Sequence, residues 1–159
     1  MPSDHLSRFA RVTIANFFFF LAFASFFLLP LHVRALGGSE RTIGVVMGTA
    51  GVAALVGAVA VGGLLDRFGS RGFLLGGLAT MSLASATFVV VDRVGPALFV
   101  LRIVQGLAFA AAFNAASTLA VEFAPPDRRA AALGLFGIST LTTHAIAPTL
   151  GELLVRRGG

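Results

Sequence analysis

Gly62-Gly63-Leu64-Leu65-Asp66-Arg67-Phe68-Gly69-Ser70-Arg71-Gly72 is the stretch on which the fold of this chain turns. It is a short, charged, glycine-punctuated reversal. Gly69 and Gly72 permit backbone angles that other residues resist, and Gly62 and Gly63 permit close approach of helices. Asp66 sits where a carboxylate can meet the positive N-terminus of a neighbouring helix. Arg67 and Arg71 hold the segment at an interface, with their stems along apolar surface and their heads in water. Taken alone, such a segment fits any turn at a membrane surface, so its flanks decide what it joins.

On both sides lie long apolar runs. Residues 42–65 precede the reversal and residues 72–91 follow it; further out are runs at 12–33, 96–121 and 130–154. Crossing the hydrocarbon core takes roughly 20 apolar residues in a helix, and each run supplies about that many. The chain of 159 residues is 57% hydrophobic and only 12% charged. That is too little charge to cover a water-solvated domain of this size. The reading is therefore an all-α integral membrane protein with five transmembrane helices and the lipid bilayer as its solvent. The connections are short, so consecutive helices are antiparallel neighbours. The first run competes with a signal peptide, since Arg8 and Arg11 precede it and Ala22-Phe23-Ala24 resembles a cleavage site. A signal core is only about 7–15 residues long, and this run continues well past Ala24, so a retained helix is expected, with Pro30 tolerated near its far end.

The net charge of +5 comes from twelve basic residues, all of them Arg, against seven acidic ones. The arginines fall between the apolar runs and not in one patch, which argues against nucleic acid and for the orientation of membrane helices. An Arg-only basic set with abundant Ala and Gly fits a GC-rich bacterial coding sequence, hence a bacterial inner membrane. With no Cys there is no disulfide, thiolate metal site or Cys nucleophile.

The order Gly-x-Leu-x-Asp-Arg-x-Gly-x-Arg between the second and third runs resembles the signature loop of the major facilitator superfamily. Gly62, Leu64, Asp66, Arg67, Gly69 and Arg71 match it position by position, while Ser70 stands where a basic residue is usual. The resemblance implies that this loop is cytoplasmic, which places the N-terminus in the cytoplasm. It also implies that the loop's charges brace two six-helix halves during alternating access. The family fold has twelve helices in two bundles, each made of inverted three-helix repeats with the substrate at the midplane between halves. Residues 1–159 are then a partial N-terminal domain, five helices of the first bundle, with the C-terminal half of the same fold as a missing partner. The chain is not expected to transport on its own.

Inside the fourth run, Arg102 is followed by Gln105 and Gly106. A charge at this depth costs at least about 2.5–3.5 kcal/mol unless it faces protein or water. At about 100° per residue, Arg102, Gln105, Gly106, Phe109 and Phe113 share one helix face. Two readings are open: an arginine facing an internal pathway, or one snorkelling to the outer interface from a span that begins at Pro96. Arg102-x-x-Gln105-Gly106 also resembles the family's fourth-helix motif, in which the Arg faces the translocation pathway and is linked to proton transfer. Protons are thus an expected coupling partner. An Arg holds its own proton, so its role would be to bias a neighbouring acid or to hold an anion, and no acidic residue stands at mid-membrane.

In the fifth run, Ser139, Thr140, Thr142 and Thr143 read as packing residues. His144 is either a pathway residue or a neutral imidazole hydrogen-bonded between helices. Asn16 and Asn114 are likewise pathway candidates or interhelical hydrogen bonders. Pro148 and Gly151 permit a helix bend, and Pro-x-x-Gly late in the fifth helix resembles the antiporter motif of exporters, although Ala147 stands where a Gly is usual. That favours efflux. Gly44 and Gly48 form a small-xxx-small pair that reads as helix packing.

No phosphate-binding loop, zinc-helix motif or nucleophile elbow is present, so neither an ATP-driven pump nor an enzyme is expected. His5, His32 and His144 are scattered, so no metal and no cofactor is expected. The expected function is movement of an unknown small molecule by alternating access, as proton-coupled efflux. The alternative is a short, non-transporting membrane protein that acts as a scaffold or oligomer subunit.

Overall fold

A computed structural model describes residues 2–158, without the side chains of residues 2–4, 24, 25, 147, 148 and 150–158. Among the described residues the chain is helical, with no strand. Helix α1 spans Pro2–Ala24, α2 Leu29–Ala35, α3 Glu40–Phe68, α4 Ser70–Thr87, α5 Pro96–Phe123 and α6 Arg129–Gly158. Four segments are long and apolar enough to cross a membrane: His5–Ala35, Glu40–Phe68, Ser70–Val90 and Pro96–Phe123. The fifth expected span, 130–154, lies within α6, and its last turns carry side chains outside the described residues.

The run at 12–33 is not one continuous α-helix. A 3-10 segment at Ser25–Leu28 separates α1 from α2, just ahead of Pro30. Proline has no N–H to close an α-helical bond and its ring crowds the carbonyl one turn earlier, so the helix tightens where the bond is lost. Helix α2 then ends on glycines. Gly37 takes φ +82°, and the N–H groups of Gly37 and Gly38 bond the carbonyls of Arg34 and Val33 at 2.9 Å each. Ser39 caps α3 by accepting from the Thr42 N–H at 3.2 Å, and exposed Glu40 in the first turn pairs with Arg34.

The chain divides into two compact units. One comprises residues 1–29 with 116–159, in which α1 packs along α6; the other comprises residues 30–115. In the second unit, α3 presents a buried row of Ile43, Val46, Ala50, Ala53, Gly57, Val61 and Leu65, while Val52, Leu55 and Val59 on its other faces are exposed. Those faces suit acyl chains, since lipid is as apolar as a protein core. Gly44 and Gly48, expected at a packed interface, have no atom within 4 Å of where a Cβ would stand. The packed row is offset from them, and its small members are Ala50, Ala53 and Gly57.

Candidate functional site

The reversal at Gly62–Gly72 is tighter than its sequence suggests. Helix α3 runs through Asp66 and Arg67 to Phe68, and α4 begins at Ser70, leaving Gly69 as the whole connection. Gly69 takes φ 82° and ψ 148°, and its N–H closes on the Leu65 carbonyl at 2.9 Å. That backbone region is open to almost nothing but glycine. Asp66 and Arg67 therefore project from the last turn of α3, and Arg71 from the first turn of α4. All three are exposed, and none has an ion pair among the described residues. The Arg67 guanidinium carbon stands 5.4 Å from the centre of the Phe68 ring. A carboxylate in the last turn works against the helix dipole, so Asp66 is not there to stabilise α3. Gly62, Gly63, Gly69 and Gly72 have open space where a Cβ would be.

Beyond the reversal, α4 and α5 border an apolar cavity of about 480 Å³, lined by Phe68, Gly72, Gly76, Thr80, Leu107 and Ala108 among others. Gly72 and Gly76 carry no side chain to fill it, and no atom lies within 4 Å of either Cβ position.

The polar centre of this unit is Arg102, which is 3% exposed. Its Nε donates to the Val46 carbonyl at 3.2 Å and its Nη1 to Gln105 Oε1 at 2.9 Å. Its Nη2 lies 3.4 Å from the Met47 carbonyl. Gly106 makes these contacts reachable. A Cβ there would run into the Ala50 carbonyl oxygen and stand 2.7 Å from the Ala53 Cβ and 2.9 Å from the Ala54 nitrogen. The missing side chain lets α5 lie against α3, and one turn earlier the guanidinium finds the second lone pairs of α3 carbonyls. Two further glycines do similar work. A Cβ on Gly57 would meet Ala110 and Leu107 at 3.0 and 3.1 Å, and one on Gly77 would meet the Ala112 nitrogen at 2.7 Å and the Ala108 oxygen at 2.9 Å. Gly57 and Gly77 were not singled out from sequence; the signal was the recurrence of small residues at three- and four-residue spacing. Gln105 is fully buried, and its Nε2 has no hydrogen-bond partner among the described residues. Phe109 and Phe113 stack at 5.6 Å on the same helix, and Asn114 donates to the Ala110 carbonyl of its own helix at 2.7 Å.

In the other unit, α1 and α6 meet through Asn16. Its amide donates to Ser139 Oγ at 3.2 Å and Thr140 Oγ1 at 2.9 Å. Both hydroxyls spend their protons on the Phe136 carbonyl, at 2.7 and 3.4 Å, which leaves lone pairs free to accept from Asn16. Asn16 is 1% exposed, and its Oδ1 is without a partner among the described residues. Exposed His144 bonds through Nδ1 to the Thr140 carbonyl at 2.9 Å, with the rings of Phe20 and Phe27 centred 5.7 and 5.6 Å away. Thr143, wholly buried, donates to the same carbonyl at 2.6 Å. Arg102, Gln105 and Gly106 are thus brought together in one unit, and Asn16 with the Ser139–His144 segment in the other. The side chains of Pro148 and the residues around Gly151 lie outside the described residues.

Residues 12–159 match the family model of the Major Facilitator Superfamily, and the chain belongs to that family. Among curated proteins it is similar to the 4-hydroxybenzoate transporter PcaK of Pseudomonas putida, 36% identical over 62% of this chain and 22% of that protein. It is also similar to the inner membrane transport protein YajR of Escherichia coli, 30% identical over 77% of this chain and 26% of that protein. Multidrug resistance protein 3 of Bacillus subtilis is 28% identical over 65% of this chain and 20% of its own length. The chain thus spans about a quarter or less of the length of these relatives. No solved structure matches it at the same stringency. The family and its named relatives are transporters, so this is a multi-pass membrane protein of a transporter family with bacterial relatives.

Proposed function

We propose that residues 12–159 form the opening helices of a proton-coupled exporter of a small organic molecule, working by alternating access in a bacterial inner membrane with the N-terminus in the cytoplasm. The observation that carries this reading is the Gly62–Arg71 segment. Its charges stand exposed on a one-residue reversal; Asp66 in the last turn of α3 and Arg71 in the first turn of α4 work against their helix dipoles, which leaves them to brace a facing part of the fold. The relatives' names support a small organic substrate, since one moves an aromatic acid and another confers multidrug resistance. The second name also favours export.

Within each unit one polar centre is a candidate lining for the pathway: Arg102 with Gln105 and Gly106, and Asn16 with His144. Arg102 already holds three acceptors, so its part in coupling would be to fix the local field while another group carries the proton. Gln105 Nε2 and Asn16 Oδ1, with Thr13 Oγ1, are the buried side-chain atoms without a hydrogen-bond partner among the described residues. Transport requires the further helices that complete the two-bundle fold, and the C-terminal half is the partner that the segment around Asp66 braces.

The test is flux in proteoliposomes. The protein encoded by the complete open frame should expel an accumulated organic substrate when a pH gradient is imposed, and the 159-residue chain alone should not. Flux indifferent to the gradient would remove proton coupling. Flux by the short chain would remove the requirement for the rest of the fold.

A further inference from the structure

The start of α1 and the connection between α5 and α6 enclose a second cavity, of about 590 Å³. Its floor is apolar: Leu6, Phe9, Phe123, Ala132 and Leu135 line it, with Phe123 and Ala132 buried. Its exposed rim is charged, with Arg128, Arg129 and Glu122 among the lining residues. Arg8 is not part of the lining but stands near it, its guanidinium carbon 6.0 Å from the centre of the Phe123 ring. Arg128 shares its charge with Asp127 at 3.6 Å, an exposed pair that contributes little. Neither Arg8 nor Arg129 has an ion pair among the described residues.

An apolar floor under a rim of arginines, at the ends of membrane-length helices, is matched by one class of ligand. A soluble anion would use the arginines and leave the floor empty; a neutral hydrocarbon would use the floor and leave the arginines unmatched. We propose that this cavity binds an anionic phospholipid. The phosphate is held by Arg129, Arg128 and Arg8, whose planar forks suit phosphate oxygens, and the upper acyl chain lies on Leu6, Phe9 and Leu135. Basic pockets among the ends of membrane helices are suited to such headgroups. The site requires only that the chain sits in a bilayer, and it stands or falls separately from the transport reading.

The test uses the chain in nanodiscs of phosphatidylcholine and phosphatidylglycerol, with retained lipid counted by native mass spectrometry and circular dichroism confirming the fold. One phosphatidylglycerol per chain should be retained in preference to phosphatidylcholine. Each arginine near a membrane surface contributes about five-fold to such binding, so Arg128→Gln with Arg129→Gln should weaken retention roughly 25-fold. Arg34→Gln with Arg93→Gln, at other connections, should change it less than about two-fold. Leu135→Trp, at an exposed position on the floor, should lower retention with no change of charge. Glu122→Gln should raise it, which keeps the proposal open to test if the double variant does not fold. Equal retention of the two lipids, equal loss in the Arg34 and Arg93 control, or indifference to Leu135→Trp would overturn the proposal. So would displacement by inorganic phosphate, which would mark a soluble-anion site.

Discussion

Gly106 and Gly62 are both helical glycines in the same compact unit, and they do opposite things. At Gly106 the backbone of α3 fills the space a side chain would take, and the contact it permits gives Arg102 its acceptors. At Gly62 nothing stands within 4 Å, and neither does anything at Gly63, Gly69 or Gly72. A glycine in a membrane helix thus either lets another backbone in or leaves a surface bare. The first kind is recognised by what it touches. The second lies next to the exposed charges of Asp66, Arg67 and Arg71, which have no ion pair among the described residues.

Substitutions can break this contrast, and unfolding titrations followed by circular dichroism measure it. The largest effect is expected at Gly106→Leu. Its side chain would drive into the Ala50 carbonyl and the Ala54 nitrogen, backbone atoms that cannot swing away, and it would pull Arg102 from the α3 carbonyls. Overpacking of this kind costs about 3 kcal/mol or more. Next is Gly77→Ala, where the added Cβ meets backbone at 2.7 and 2.9 Å; a loss of about 1–3 kcal/mol is expected. Gly69→Ala follows, at roughly 1–2 kcal/mol, from backbone strain alone, because the space around it is open. A stability unchanged by Gly69→Ala would mean that the reversal adopts another conformation in the bilayer.

The smallest effect sharpens the contrast most. Gly62→Ala meets no atom and removes a helix-weakening glycine, so stability should rise by about 0.5–1 kcal/mol. If the bare surface receives the other half of a transporter, the same substitution should slow flux in the complete protein while making these helices more stable. A loss of stability at Gly62 comparable to that at Gly77 would show that the two glycines are not different in kind.

Much of the fold was legible in the residues. The run at 42–65, the reversal and the run at 72–91 mark α3, Gly69 and α4 closely, because run length against bilayer thickness is a one-dimensional property. Gly69 could be named as conformationally special because the demand for its backbone angles is local. The interruption at Ser25–Leu28 was less visible. Pro30 was noted as tolerated, yet it is the carbonyl partner lost one turn earlier that tightens the helix. The site was legible only as a set of residue types. Arg102, Gln105 and Gly106 share a face by periodicity, but nothing in that periodicity names Val46 and Met47 as their partners. Asn16 was open between lining a pathway and bonding a neighbouring helix, and the Ser139 and Thr140 hydroxyls that accept from its amide lie more than 120 residues away in sequence. Gly44 and Gly48 had the spacing of a packing pair and face open space, whereas Gly57 and Gly77, which were not singled out, carry the contacts.

By itself the sequence determined that this chain lives in a membrane, that it is helical, and roughly where its long apolar runs lie. Those are properties of composition, length and local conformation. Only the tertiary structure decided which faces meet. A helix apolar all round gives no hydrophobic signal separating the side that touches lipid from the side that touches protein, so packing depends on where side chains are small enough for backbones to approach. That contact geometry fixes why Arg102 is held inside while Asp66, Arg67 and Arg71 are left exposed around a turn one glycine long.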